Sequence, residues 1–264
     1  MTQAKPHTRL YVAEPLLIGA LVVLDDARSH YLLNVMRKRE GDQLAVFNAD
    51  SGEWLAEIES ASKRGARLLV REKIADAREA TDVWLAFAMI KNKSELVVEK
   101  ATELGVSVIL PVVTQHSVVK HANLEKLEGY AIEAAEQCER HDVPRIIPQK
   151  NLASLLGDWP KDRILLYGDE TGGGEPLSVI LSEAKDLKDP SHVFGMTKLG
   201  VLIGPEGGFS ADEIRMLRLA PFAKAFGMGP RILRADTAAV AALACIQSVR
   251  GDWQQRPHFK GTEL

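Results

Sequence analysis

Val201-Leu-Ile-Gly-Pro-Glu-Gly-Gly-Phe-Ser210 is the stretch whose reading decides the fold. Its apolar opening has the character of a buried strand and stops abruptly at Gly204, Pro205, Gly207 and Gly208. A helix is predicted from Ser210, because Ser210-Ala-Asp-Glu213 matches the capping-box pattern. Strand, glycine turn and capped helix together let backbone N–H groups approach a ligand, since glycine has no Cβ in the way. A second stretch, Phe226-Gly-Met-Gly-Pro-Arg-Ile-Leu-Arg-Ala-Asp236, repeats the design, with Gly227 and Gly229 ahead of a helix starting near Asp236. Two such loops suggest one ligand held between adjacent strand ends. Neither is a P-loop, because no Gly-Lys-Ser/Thr follows, and neither is Gly-x-Gly-x-x-Gly. Tight βα turns account for the same glycines without any ligand, so residue types alone leave the ligand class open.

Working outward, the 264 residues suffice for one large or two modest domains with real cores. A net charge of −3 gives no overall basic excess of the kind nucleic-acid binders carry, so any RNA surface must be a local cluster. The beginning of the chain has no signal-peptide core, and no apolar run reaches membrane-spanning length. The expectation is a soluble cytoplasmic protein. Cys138 and Cys245 fall in helical patterns and read as small buried hydrophobes, not as a disulfide or a metal site.

Residues 1–75 read as mostly β, a small barrel or curled sheet, with one helix over 29–39 turning Leu32, Leu33, Val35 and Met36 inward. The cations Arg37, Lys38 and Arg39 either complement the end of that helix or touch phosphate, as do Lys63, Arg64 and Arg67. Eleven Lys and Arg stand against ten acids in this region. The polar connector 74–81 marks the boundary, and from 76 to 264 strands and helices alternate as in a parallel α/β sheet. Strands are expected at 83–89, 106–113, 163–167, 199–203 and 224–226. Helices are expected at 94–104 (closed by Gly105), 123–140 (capped by Asn123) and 236–250. Gly168-Asp-Glu-Thr-Gly-Gly-Gly174 forms a third loop at a strand end. Residues 182–198 interrupt this rhythm with a charged stretch and read as a mobile surface insertion.

Ile203 to Ser210 with Glu213-Ile214, and Gly229-Pro-Arg-Ile-Leu-Arg234 with Thr237-Ala238, resemble the signature of the RsmE-type ribosomal RNA methyltransferases. So do the Lys91 to Pro111 segment, containing Glu99-Lys-Ala-Thr-Glu-Leu-Gly105, and Ala134-Ala-Glu-Gln137 through Arg140 to Pro144. The resemblance spans nearly the whole chain. It implies a PUA-like, RNA-binding β-barrel over 1–75 and a SPOUT methyltransferase domain over 76–264, a parallel-sheet α/β fold with a trefoil knot. It further implies S-adenosyl-L-methionine as cofactor, transfer to N3 of a uridine in small-subunit (16S) ribosomal RNA, and a homodimer. No metal is implied. The cofactor residues it points to are Tyr167, Gly168, Gly204, Glu206, Gly207, Met228, Gly229, Ile232 and Leu233. Catalytic candidates are Arg231, Arg234 and Asp236, and RNA-binding candidates are Arg9, His30, Arg37, Arg39 and His116.

For several of these another reading stays open: Glu206 as a solvated loop tip, Asp236 as an N-cap, His30 as a capping or surface histidine. The small-residue helix 238–244 is either a dimer face or packed within the chain. Met228 replaces the usual leucine, Asp236 the usual glutamate, and His116 the usual arginine before Ser117. Two other functions fit the chain: a non-catalytic RNA-binding or ribosome-assembly protein, and a methyltransferase for another RNA.

Overall fold

The computed structural model describes residues 6, 8–62, 65–78, 80–169, 171–186 and 198–253, with the backbone alone for 183–186. Lys63, Arg64 and 187–197 of the expected insertion lie outside the described residues. The chain divides into two compact units. The first contains residues up to 78 and also 135–143; the second contains 80–134 and 144–253. Recruitment of 135–143 to the first unit has no counterpart in the order of the sequence.

In the first unit, β1 (Arg9–Tyr11), β2 (Leu21–Val23), β3 (Gln43–Asn48), β4 (Gly52–Ser62) and β5 (Gly65–Ala75) pair in the order β1-β3-β4-β5-β2. β1 is parallel to β3 and the other pairings are antiparallel. Alternate residues along the strands, Leu44, Val46, Ala56, Ile58, Leu68 and Val70, form the core with Leu10 and Leu32, while β3 also buries Ala45 and Phe47. The expected helix over 29–39 differs from the structure. α1 (Asp26–His30), capped by Asp25 at 2.8 Å to the Arg28 N–H, passes into a π-helical turn over Tyr31–Val35. The Met36 N–H there reaches back five residues to the Tyr31 carbonyl at 2.9 Å. The wider turn rotates the later side chains off the apolar face. Leu32 is buried, whereas Val35 and Met36 are exposed.

The second unit is one parallel sheet with helices on both faces. Its strands are β6 (Val83–Ala88), β7 (Val108–Val113), β8 (Arg145–Ile146), β9 (Lys150–Asn151), β10 (Arg163–Gly168), β11 (Glu175–Pro176), β12 (Lys198–Ile203) and β13 (Ala223–Gly227). They run in the order β11-β13-β10-β12-β6-β7-β8, with β9 also on β7. The helices are α2 (Ser94–Glu103), α3 (Leu124–Gln137), α4 (Leu152–Gly157), α5 (Leu177–Asp186), α6 (Ala211–Leu219) and α7 (Ala235–Arg250). Leu165, Tyr167 and Leu202 pack with Leu155 of α4 and Leu217 of α6, while α7 packs on β12 with α2 and α5 beside it. Burial on both faces explains why these strands read as continuous apolar runs.

Asn123 caps α3, its carboxamide oxygen accepting from the Lys126 N–H at 3.0 Å. α3 ends at Gln137, earlier than expected, which leaves Cys138 in a turn and exposed instead of buried. Cys245 is half-buried, and the two cysteines form no disulfide. No helix among the described residues is long and apolar enough to cross a membrane.

Candidate active site

β13, β10 and β12 are neighbours, and all three end at one place. A cavity of about 820 Å³ opens there, within the size range of small-molecule sites. Its position beyond the carboxyl ends of parallel strands is where open α/β sheets bind ligands. Gly168, Gly204, Glu206, Met228, Gly229, Arg231, Ile232, Leu233 and Arg234 all line it. Three distant segments thus meet as the sequence suggested.

Local chemistry explains the walls. Ser210 accepts from the Glu213 N–H at 3.3 Å while the Glu213 carboxylate accepts from the Ser210 N–H at 2.9 Å, the reciprocal capping box that starts α6. This fixes the helix directly after the glycine turn. Gly174, to which the sequence reading gave no role, also lines the cavity. A Cβ at Gly174 would lie 2.5 Å from the Phe226 backbone, so only glycine lets the chain at 174 lie against β13. The cavity therefore offers glycine backbone for polar atoms, Met228, Ile232 and Leu233 for an apolar body, and the exposed Glu206 carboxylate for a cation. A nucleoside bearing a positive charge fits that set. Arg231 and Arg234 are exposed on the lining, and neither forms an ion pair among the described residues.

Five site residues take different places from those expected. Tyr167 is not on the lining; strand alternation turns its ring to the face opposite Gly168, where it is buried in the core. Burial, aided by the Asp169 carboxylate, raises its phenol above the ordinary range. Gly207 is also off the lining and faces His116. Asp236 is neither on the lining nor the N-cap of α7. Arg234 occupies the cap position, and Asp236 is the second helical residue, ion-paired to Lys93 at the start of α2. The hydrogen bond from Lys93 holds its carboxyl below the usual carboxylate range, which makes it a weaker proton acceptor.

Arg9 is buried and cannot meet RNA. Its guanidinium donates to Glu53 at 2.7 Å and to the carbonyls of Ala135, Glu136 and Arg140 at 2.9, 3.0 and 3.0 Å. With the Tyr11 N–H on Glu136 Oε1 at 3.0 Å it ties 135–143 into the first unit, and the sequence carried no signal for it beyond a cation in a short strand. His116, expected on RNA, instead directs its ring at the glycine turn, with Nδ1 3.0 Å from the Gly207 oxygen and 3.1 Å from the Gly208 oxygen. His30, Arg37 and Arg39 are exposed on the first unit.

The cavity is walled by glycine loops and rimmed by two exposed arginines that form no ion pair among the described residues. Residues 77–247 match an RNA methyltransferase domain and residues 24–70 an RNA methyltransferase PUA domain. The chain is 31% identical to ribosomal RNA small subunit methyltransferase E of Rickettsia conorii, over 91% of this chain and 95% of that protein. With the Bacillus subtilis protein of the same name it shares 33% identity over 84% and 90%. A solved structure of the Neisseria gonorrhoeae ribosomal RNA small subunit methyltransferase E, bound to S-adenosyl methionine, matches with a TM-score of 0.78 and 27% identity. The match covers 93% of this chain and 99% of that one. The fold and cavity are those of an RNA methyltransferase. Within that class, this chain belongs to the ribosomal RNA small subunit methyltransferase E family.

Proposed function

We propose that this protein transfers a methyl group from S-adenosyl-L-methionine to N3 of a uridine in 16S ribosomal RNA. The observation that carries this is the cavity itself: glycine loops at three neighbouring strand ends, in a fold shared with a relative whose structure contains that cofactor. Bound there, the cofactor supplies an electrophilic methyl group on a sulfonium. The loops at Gly168, Gly204 and Gly229 would present backbone to its polar atoms, Met228, Ile232 and Leu233 would pack its apolar surface, and the Glu206 carboxylate would favour its positive charge. Loss of the N3 proton to solvent places negative charge on the uracil oxygens, and the incoming methyl group discharges it. Arg234 and Arg231 are free to hold those oxygens or the adjoining phosphate. Asp236, engaged by Lys93, anchors the start of α7 and is not the base.

The same reading extends to the rest of the molecule. The first unit is a PUA-like barrel that meets RNA through His30, Arg37 and Arg39. The second unit is a SPOUT domain whose C-terminal segment threads a loop to make a trefoil knot. The protein works in the cytoplasm as a homodimer, for which α7 offers its outward Val240.

The test is methyl transfer from labelled S-adenosylmethionine to small ribosomal subunits that lack the modification, read by nucleoside mass spectrometry. N3-methyluridine is the expected product. Cofactor binding without transfer to this substrate would redirect the assignment to another RNA; absence of both would support a non-catalytic RNA-binding protein.

A further inference from the structure

We infer that His116 is a positioning residue for the cofactor loop, a task distinct from gripping RNA. This rests on the cofactor reading above. The two atoms near Nδ1 are carbonyl oxygens, of Gly207 at 3.0 Å and Gly208 at 3.1 Å, and carbonyls only accept. Nδ1 therefore carries the proton and donates to both, which fixes the tautomer. The carbonyls belong to the turn of residues 204–208, in which the Gly208 N–H bonds the Pro205 oxygen at 2.9 Å and Gly204, Pro205, Glu206 and Gly208 line the cavity.

The histidine is itself held. Thr114 and Ser117 are buried and close a tight turn, with the Thr114 N–H on Ser117 Oγ at 2.9 Å and the two hydroxyls 2.8 Å apart. The adjacent Gln115 N–H donates to Glu213 Oε1 at 2.8 Å, while Oε2 of the same buried carboxylate serves the α6 cap. Residues 115 and 116 thus clamp both ends of the 207–213 segment to the end of β7. The fit is close, because a Cβ on Gly207 would sit 3.2 Å from the His116 Cβ. A loop carrying glycines needs such external support, since its own backbone is conformationally permissive.

Cofactor affinity measured by isothermal titration calorimetry, together with KM for small subunits, tests this on the full chain. His116→Ala is expected to weaken S-adenosylmethionine binding about tenfold, the loss of two ordinary hydrogen bonds, with KM for the RNA unchanged. His116→Asn, whose amide N–H stands close to where Nδ1–H does, is expected to recover most of the affinity. Gly207→Ala, which pushes the turn away and leaves the ring intact, is expected to weaken binding as well. Wild-type affinity in His116→Ala, or a raised RNA KM with unchanged cofactor affinity, overturns the inference. Should His116→Ala not fold, the Asn and Gly207→Ala pair decides on the same terms. Failure of the wild-type protein to bind the cofactor at all would instead sink the cofactor reading.

Discussion

The two ends of the second unit's sheet are built from the same residue types to opposite effect. At the amino end, Arg163 is buried and both of its terminal nitrogens are engaged, while its Nε has no partner among the described residues. It holds both Asp82 carboxylate oxygens at 2.7 Å and the carbonyls of Asp82 and Leu199 at 2.9 Å, tying the starts of β6, β10 and β12 together. It also lies 4.0 Å over the Trp84 ring, which meets Trp159 edge-on at 5.6 Å. At the carboxyl end, Arg231 and Arg234 are exposed on a glycine-walled cavity. A buried guanidinium whose terminal nitrogens are bonded to protein atoms organises a fold; one exposed with no ion pair among the described residues can meet a ligand. Arg9 in the first unit follows the rule of Arg163, although its place near the beginning of the chain suggested an RNA contact.

The contrast can be broken by substitution. Arg163→Ala has the largest expected effect: loss of about 3 kcal/mol of stability in urea unfolding, since hydrogen bonds to a charged group are removed together, with cofactor affinity unaltered in the protein that remains folded. A change in affinity without a change in stability would mean that the amino end contributes to the site. Arg234→Ala is expected to do the reverse. Turnover should fall about a hundredfold, as when one preorganised charge stabiliser is removed, with stability within about 0.5 kcal/mol of wild type. Single-turnover rates and unfolding midpoints together separate the two cases.

The smallest effect sharpens the boundary between the ends. Asp236 and Lys93 are paired beside the cavity and partly exposed, at 15% and 34% of their side chains. Asp236→Asn is expected to remove about 0.5–1 kcal/mol at neutral pH and to preserve most of the turnover. Because the folded carboxyl titrates below its unfolded value, its stabilisation is full above about pH 4 and is lost as pH falls through the lowered folded value. The acid limb of the stability curve should therefore flatten in the variant. A collapse of turnover would return Asp236 to the role of base.

The sequence by itself determined what depends on neighbours along the chain. Apolar runs gave β6, β10 and β12, Ser210 and Glu213 gave the start of α6, and the glycine clusters located the cavity, because strand burial, caps and turns act over a few residues. Nine of the sites expected from those stretches line the cavity. The tertiary structure decided everything that depends on partners far away. Nothing local distinguishes Arg9, buried and bonded to carbonyls of residues 135–140, from the exposed Arg37. Asp236 meets Lys93 only because α2 and α7 pack together, and His116 meets Gly207 only because β7 and β12 flank β6. A side chain's type sets which bonds it can make; which of them it does make follows from the atoms the fold brings within about 3 Å of it.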